Sequence, residues 1–217
     1  MMKTKLNCNI IILIIGFILY SCNSSSEMKD EQKKGSGDKK VTKQQVENPY
    51  FPASVGNKWE FAGESANCEP QNFSVEIVSI KNSGKDAIVE LSSFPFFDKQ
   101  NLDTKLKFKE NGEIDFIFGD TGETMFMPAT KDLRKDYNWG YGMWNGYITS
   151  LNDTVYTEKE KFENCIALNY ALSITMSAQI WIAKDKGIVR WGLNRTNPPT
   201  PISLFQYYKL TNLTFSK

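Results

Sequence analysis

The chain of 217 residues contains no histidine. That absence removes the commonest general base, the Ser-His and Cys-His nucleophile pairs, and every imidazole metal ligand. Cysteine is scarce too, with four in the chain, and without histidine only scattered carboxylates could complete a two-cysteine zinc site. No glycine-rich phosphate loop follows a strand and no dinucleotide fingerprint is present, so no cofactor is expected. Neither sign of charge dominates: 26 Lys and Arg stand against 25 Asp and Glu, for a net +1. From residue 49 onward there are 18 basic and 20 acidic residues, a balance that argues against nucleic acid, which wants a concentrated basic face. One catalytic route stays open, a carboxylate pair set about 5–10 Å apart as in glycoside hydrolysis. Asp132 with Asp136 and Glu110 with Glu113 are candidates. Any soluble surface supplies such pairs, and the expectation is a non-enzymatic protein.

A long apolar run is also missing. The stretch Ile10 to Tyr20 covers 11 positions, short of the roughly 20 that a membrane-spanning helix needs. It follows Lys3 and Lys5 and ends at Leu19-Tyr20-Ser21-Cys22. A positive start, an apolar middle and a small residue before a cysteine resemble a bacterial lipoprotein signal. The resemblance implies removal of residues 1–21 and a lipid on Cys22, with the membrane as partner through that lipid. It further implies the bacterial cell envelope, in particular the outer membrane on its periplasmic or outer face, as the location. An ordinary secretory signal or an uncleaved anchor are the other readings of the same residues.

Residues 23–48 hold no aromatic residue, with six lysines and five acids, and cannot bury enough apolar surface to offset the entropy of ordering them. Residues 22–48 are therefore expected to be a lipidated tether, holding a single domain of residues 49–217 roughly 25–30 Å from the bilayer. Within the tether, Lys29-Asp30-Glu31 resembles the Lys-acidic signal that some Bacteroidetes-type lipoproteins use to reach the cell surface. With Cys8 lost in the signal and Cys22 lipidated, Cys68 and Cys165 remain. An even pair in an exported domain points to a disulfide, which across a loop of about 97 residues would stabilise by roughly 4–5 kcal/mol. The alternative is two buried free thiols.

Strand periodicity runs through the domain. Phe73, Val75 and Ile77 alternate with polar residues, as do Leu106 with Phe108 and Ile114 with Phe116 and Phe118; period two marks an antiparallel sheet with one buried face. Asn82-Ser83-Gly84, Asn111-Gly112 and Gly119-Asp120-Thr121-Gly122 supply turns between runs. Further runs cover Ile166 to Tyr170, Ile174 to Ala183, Gly187 to Leu193 and Ile202 to Leu213. The best helix candidate is a turn or two over Lys131 to Tyr137. The expected fold is all-β, a curved antiparallel sheet forming a half-barrel or open barrel with little helix.

Three segments carry a family resemblance. Tyr50-Phe51-Pro52 with Val55-Gly56-Asn57-Lys58-Trp59-Glu60-Phe61, then Phe162-Glu163-Asn164-Cys165-Ile166, then Lys186-Gly187-Ile188-Val189-Arg190 resemble a large group of exported bacterial lipoproteins, most of unassigned function. The resemblance implies a curved sheet distantly like the carriers of the lipoprotein-localisation system, and no chemistry.

Between Tyr137 and Tyr147, five rings alternate with Gly140, Gly142 and Gly146. Aromatic stripes stack on sugars, hold apolar molecules or form protein interfaces, and Trp139, Tyr141 and Trp144 are the contacts chosen here. The opposing reading is that these rings fill the concave side of the sheet. Two functions follow: a binding or carrier module for an apolar or glycan ligand, or a structural or protein-interaction component of the envelope. The anchor is directly testable. Replacing Cys22 by Ser is expected to abolish incorporation of labelled palmitate and to release the protein from the membrane fraction. A Cys22→Ser protein that still labels would refute the assignment.

Overall fold

The computed structural model describes residues 48–94, 104–118, 122–141, 144–196 and 203–216. Cys22, the signal and the tether up to residue 47 lie outside them. Twelve strands occur among the described residues: β1 (Lys58–Gly63), β2 (Asn72–Ser83), β3 (Asp86–Leu91), β4 (Thr104–Phe108), β5 (Ile114–Phe118), β6 (Gly122–Met127), β7 (Asn138–Tyr141), β8 (Trp144–Tyr156), β9 (Lys161–Ser173), β10 (Met176–Ala183), β11 (Gly187–Thr196) and β12 (Ser203–Thr214). They form one sheet in the order β6-β5-β4-β3-β2-β1-β12-β11-β10-β9-β8-β7, each strand antiparallel to its neighbour. The fold is all-β, as the alternation predicts, and the sheet curls into a nearly closed barrel with one unsealed seam.

Alternation fixes what lies inside. Trp59 and Phe61 of β1 are buried together, as are Val75 and Ile77 of β2, Leu106 and Phe108 of β4, and Ile166, Leu168 and Tyr170 of β9. Phe51, entering ahead of β1, sits with its ring centroid 5.4 Å from Trp59, 5.8 Å from Phe108 and 6.4 Å from Phe126. Phe94, Phe116 and Phe126 continue this cluster at 4.8–5.4 Å. Each fully buried ring contributes about 1.5–3 kcal/mol of transfer free energy, and together they occupy the interior. Two of the segments behind the family resemblance meet here, since Trp59 Nε1 donates to the Lys186 carbonyl at 2.6 Å.

The turn over Asn111-Gly112 joins β4 to β5 as expected, with Gly112 at φ +86° and the Asn111 side chain accepting from the Glu113 amide. The helix expected over Lys131 to Tyr137 is not there. A single 3-10 turn, Thr130–Asp132, replaces it, without a side-chain cap. One uncapped turn cannot propagate, and Asp136 then adopts φ +63°, which breaks any continuation.

The seam lies between β6 and β7, the two ends of the strand order, where no backbone ladder forms. Side chains bridge it instead. Trp139 Nε1 of β7 donates to the Met125 carbonyl at 2.8 Å, and Tyr170 Oη of β9 donates to the Phe126 carbonyl at 2.6 Å. The Tyr170 ring also stacks on Phe126, with centroids 5.9 Å apart at 14°. Removing the Tyr170 hydroxyl leaves a buried carbonyl without its donor, a loss of about 1–3 kcal/mol. Tyr170→Phe should therefore lower the urea midpoint at unchanged denaturant slope; an unaltered midpoint would show that the seam does not depend on this bond.

Candidate functional site

Strands β8 to β12 have an outer face as well as an inner one. Tyr147, Asn169, Gln179, Gly192 and Tyr207 lie in register across the five strands. They alternate with Ile148, Leu168, Ile180, Trp191 and Tyr208, all buried. The next outward row is Asn145, Ala171, Ser177, Asn194 and Phe205. Between these rows is a cavity of about 240 Å³. Its floor is small, with Ala171, Ser177 and Gly192, and its walls are rings, Tyr147 on one side and Phe205 with Tyr207 on the other. Tyr147 is 42% exposed and Phe205 53%.

The lining contains no acid, lysine or arginine. Its polar side chains are the amides of Asn169, Gln179 and Asn194 and the hydroxyls of Tyr147, Ser177 and Tyr207. Asn169 donates through Nδ2 to the Tyr147 hydroxyl at 3.0 Å, while the carbonyl oxygens of Asn169 and Asn194 have no protein partner.

The Tyr207 wall is held from three directions. Its ring lies flat over Gly192, where a Cβ would come within 2.4 Å of two ring carbons; only glycine leaves that space. The Arg190 guanidinium stacks between Tyr207 and Trp181, 4.7 and 4.6 Å from their centroids, and is fixed by a two-pronged ion pair to Glu64 at 2.7 and 3.1 Å. Trp181 in turn donates to Asp153 at 2.9 Å. From the β1–β2 loop, the Glu64 amide and the Cys68 thiol both donate to the Tyr207 carbonyl, at 2.7 and 3.3 Å.

Of the rings singled out by sequence, Trp139 is the one whose side chain lies among the described residues. Trp139 is 7% exposed, lies against Gly146, where a Cβ would meet the indole at 2.4 Å, and spends its N–H on the seam. Tyr141 and Trp144 pair in register where β7 meets β8, and their side chains lie outside the described residues, as does Cys22. Tyr147, the last ring of the same segment, lines the groove. Asn169, Gln179, Asn194, Phe205 and Tyr207 were missed. The available signal was asparagine in mid-strand, since that residue is depleted in strands. Of the carboxylates, Asp132 and Asp136 are on the exposed β6–β7 connection, and Glu110 and Glu113 pair with Lys85 and Lys109.

The expected Cys68–Cys165 disulfide is corrected by the structure: both are free, buried thiols. Cys68 is bound to the carbonyl of Tyr207 in β12, and Cys165 in β9 is 3.5 Å from the Phe162 carbonyl. Strands β10 and β11 separate β12 from β9 in the sheet, so each sulfur is committed to its own local acceptor.

No family model and no curated protein matches this chain. Among solved structures, a Bacteroides fragilis protein described as exported and as having a YmcC-like fold is similar at TM-score 0.48 and 11% identity, over 76% of this chain and 99% of that one. A Parabacteroides distasonis protein described as a lipoprotein is similar at TM-score 0.45 and 14% identity, over 76% of this chain and 98% of that one.

Burial pushes the Cys165 thiol from its ordinary 9.0 up to about 11. Because the folded state holds that proton more tightly, the associated stability is fully present below pH 9 and is lost as pH rises through about 11. Alkylation of native protein at pH 8 is expected to spare both Cys68 and Cys165. In denaturant without reductant both should react, as mapped by peptide mass spectrometry; a bridged pair would stay unmodified.

Proposed function

We propose that this chain is a lipid-anchored protein of the bacterial cell envelope, held on the outer membrane through Cys22, and that it acts by binding rather than by catalysis. The Lys3, Lys5 and Leu19-Tyr20-Ser21-Cys22 pattern supports the anchor and the address. The observation that carries the binding role is the contrast between the two faces of the same strands. Among the described residues the inner face buries Phe51, Trp59, Phe94, Phe116 and Phe126. The outer face of β8–β12 keeps an uncharged cavity walled by Tyr147, Phe205 and Tyr207. Ligand sites combine an apolar wall with a few placed polar groups, and that groove has both.

The test is native mass spectrometry on the full chain recovered from its own envelope, compared with a denatured sample. A stoichiometric bound molecule is expected in the wild type, absent after joint Tyr147→Ala and Phe205→Ala substitution. A bound molecule retained by that variant would move the site away from the groove. An empty wild type that co-purifies with another protein would favour an interaction role.

A further inference from the structure

We propose that the groove of β8–β12 is a saccharide site for a neutral, hydroxyl-rich sugar; this rests on the reading of the groove as the ligand site and narrows it to one chemical class. Three features of the lining decide among classes.

The first is size. A cavity of about 240 Å³ is below the roughly 300–1,000 Å³ of sites that enclose drug-sized ligands. It takes a compact ring and not an acyl chain.

The second is charge. The lining has no ionic side chain, and the nearest guanidinium, Arg190, is already committed to Glu64. Lys209 also faces Glu64, at 3.8 Å. An anionic ligand would be desolvated there without a counter-charge, and burying an unpaired charge is costly. Phosphorylated, sulfated and uronic ligands are disfavoured on this ground.

The third is the pairing of rings with planar amides. A pyranose has a C–H face and a rim of hydroxyls. Phe205 and Tyr147, the exposed rings of the lining, supply apolar surface for the C–H face, and Tyr207 lies nearly parallel to Phe205, 7° apart and 6.1 Å between centroids. Asn169, Gln179 and Asn194 border the same cavity, and each amide both donates and accepts, which suits vicinal hydroxyls. The carbonyl oxygens of Asn169 and Asn194 are buried without a protein donor. Hydroxyls provide one, after the modest rotation that the broad terminal torsion of asparagine allows; a hydrocarbon or a pure acceptor does not.

The experiment uses the full chain in a detergent without a sugar headgroup, titrated with neutral gluco-, manno-, galacto- and xylo-oligosaccharides and followed by intrinsic fluorescence and calorimetry. Heparin and phosphatidylethanolamine–phosphatidylglycerol vesicles serve as comparators. At least one neutral saccharide is expected to bind, and Tyr207→Ala to weaken it about tenfold or more, from the loss of a ring contact and its buried area. Gly192→Ala places a methyl where the Tyr207 ring lies and should abolish binding, with a lowered thermal midpoint but a β-sheet circular dichroism spectrum retained. Tyr156→Ala, an exposed ring away from the groove, should leave affinity unchanged.

If no neutral saccharide binds, while the envelope-derived molecule still depends on Tyr147 and Phe205, the sugar assignment fails and the groove reading stands. Binding of heparin or vesicles that Gly192→Ala abolishes would likewise overturn the sugar class alone. Saccharide binding indifferent to both Gly192→Ala and Tyr207→Ala would overturn the groove itself as the site.

Discussion

Closure of the β6–β7 seam is the constraint on which the rest of this structure depends. A sheet of twelve strands that curls on itself must bring its two ends together, and here the ends meet without a backbone ladder. Open strand edges are liabilities because their carbonyls and amides need partners. Trp139 and Tyr170 provide them for the Met125 and Phe126 carbonyls, and both rings also pack into the core. The same two contacts therefore satisfy an edge and pin the interior rings around Phe126. Burial pushes the Tyr170 phenol well above its ordinary value, which keeps it a donor throughout the neutral range.

The rings packed inside leave the outer face of β8–β12 with a groove of its own. That face is built by precise support rather than by loop length. Tyr207 is set by glycine beneath it, a stacked guanidinium beside it and two donors on its carbonyl. Free Cys68 belongs to this arrangement: its thiol does for Tyr207 what a disulfide would have prevented. Such preorganisation would lower the ordering cost of any binding, and it couples the β1–β2 loop to a groove five strands wide.

The fold was legible in the sequence where alternation was regular, and illegible where it was not. β2, β4, β5 and the Ile166–Tyr170 stretch of β9 read directly from their period-two apolar residues. β8 did not, because its register shifts between Ile148 and Ser150, again before Asp153 and again before Val155, so that no single period survives along it. The aromatic segment was correctly marked as unusual, yet composition could not say which rings turn inward. Trp139 turned in because Gly146 opposite leaves room for an indole. The groove was invisible for a different reason. Its members come one or two at a time from five strands spread between residues 145 and 207, and only cross-strand register gathers them. The cysteine pair misled because parity in an exported domain says nothing of distance.

The two halves of the outer face differ in chemistry. Over β3 to β6 it is a ladder of ion pairs, with Lys107 between Asp86 and Glu123, Lys85 on Glu110, and Lys109 on Asp115 at 2.6 Å. Apart from Lys109–Asp115, whose carboxylate is buried, such solvent-facing pairs add little stability; their effect is a strongly hydrated surface that resists sticking to other molecules. Over β8 to β12 the corresponding positions are amides, small residues and rings. Ring faces and amide planes hold water less tightly than fixed charges do, so a neutral ligand displaces solvent there at low cost, and would have to strip ions' hydration to settle on the other half. One curled sheet thus carries a surface that repels association and a surface that permits it, joined through the β1–β12 pairing that closes the chain's two ends together.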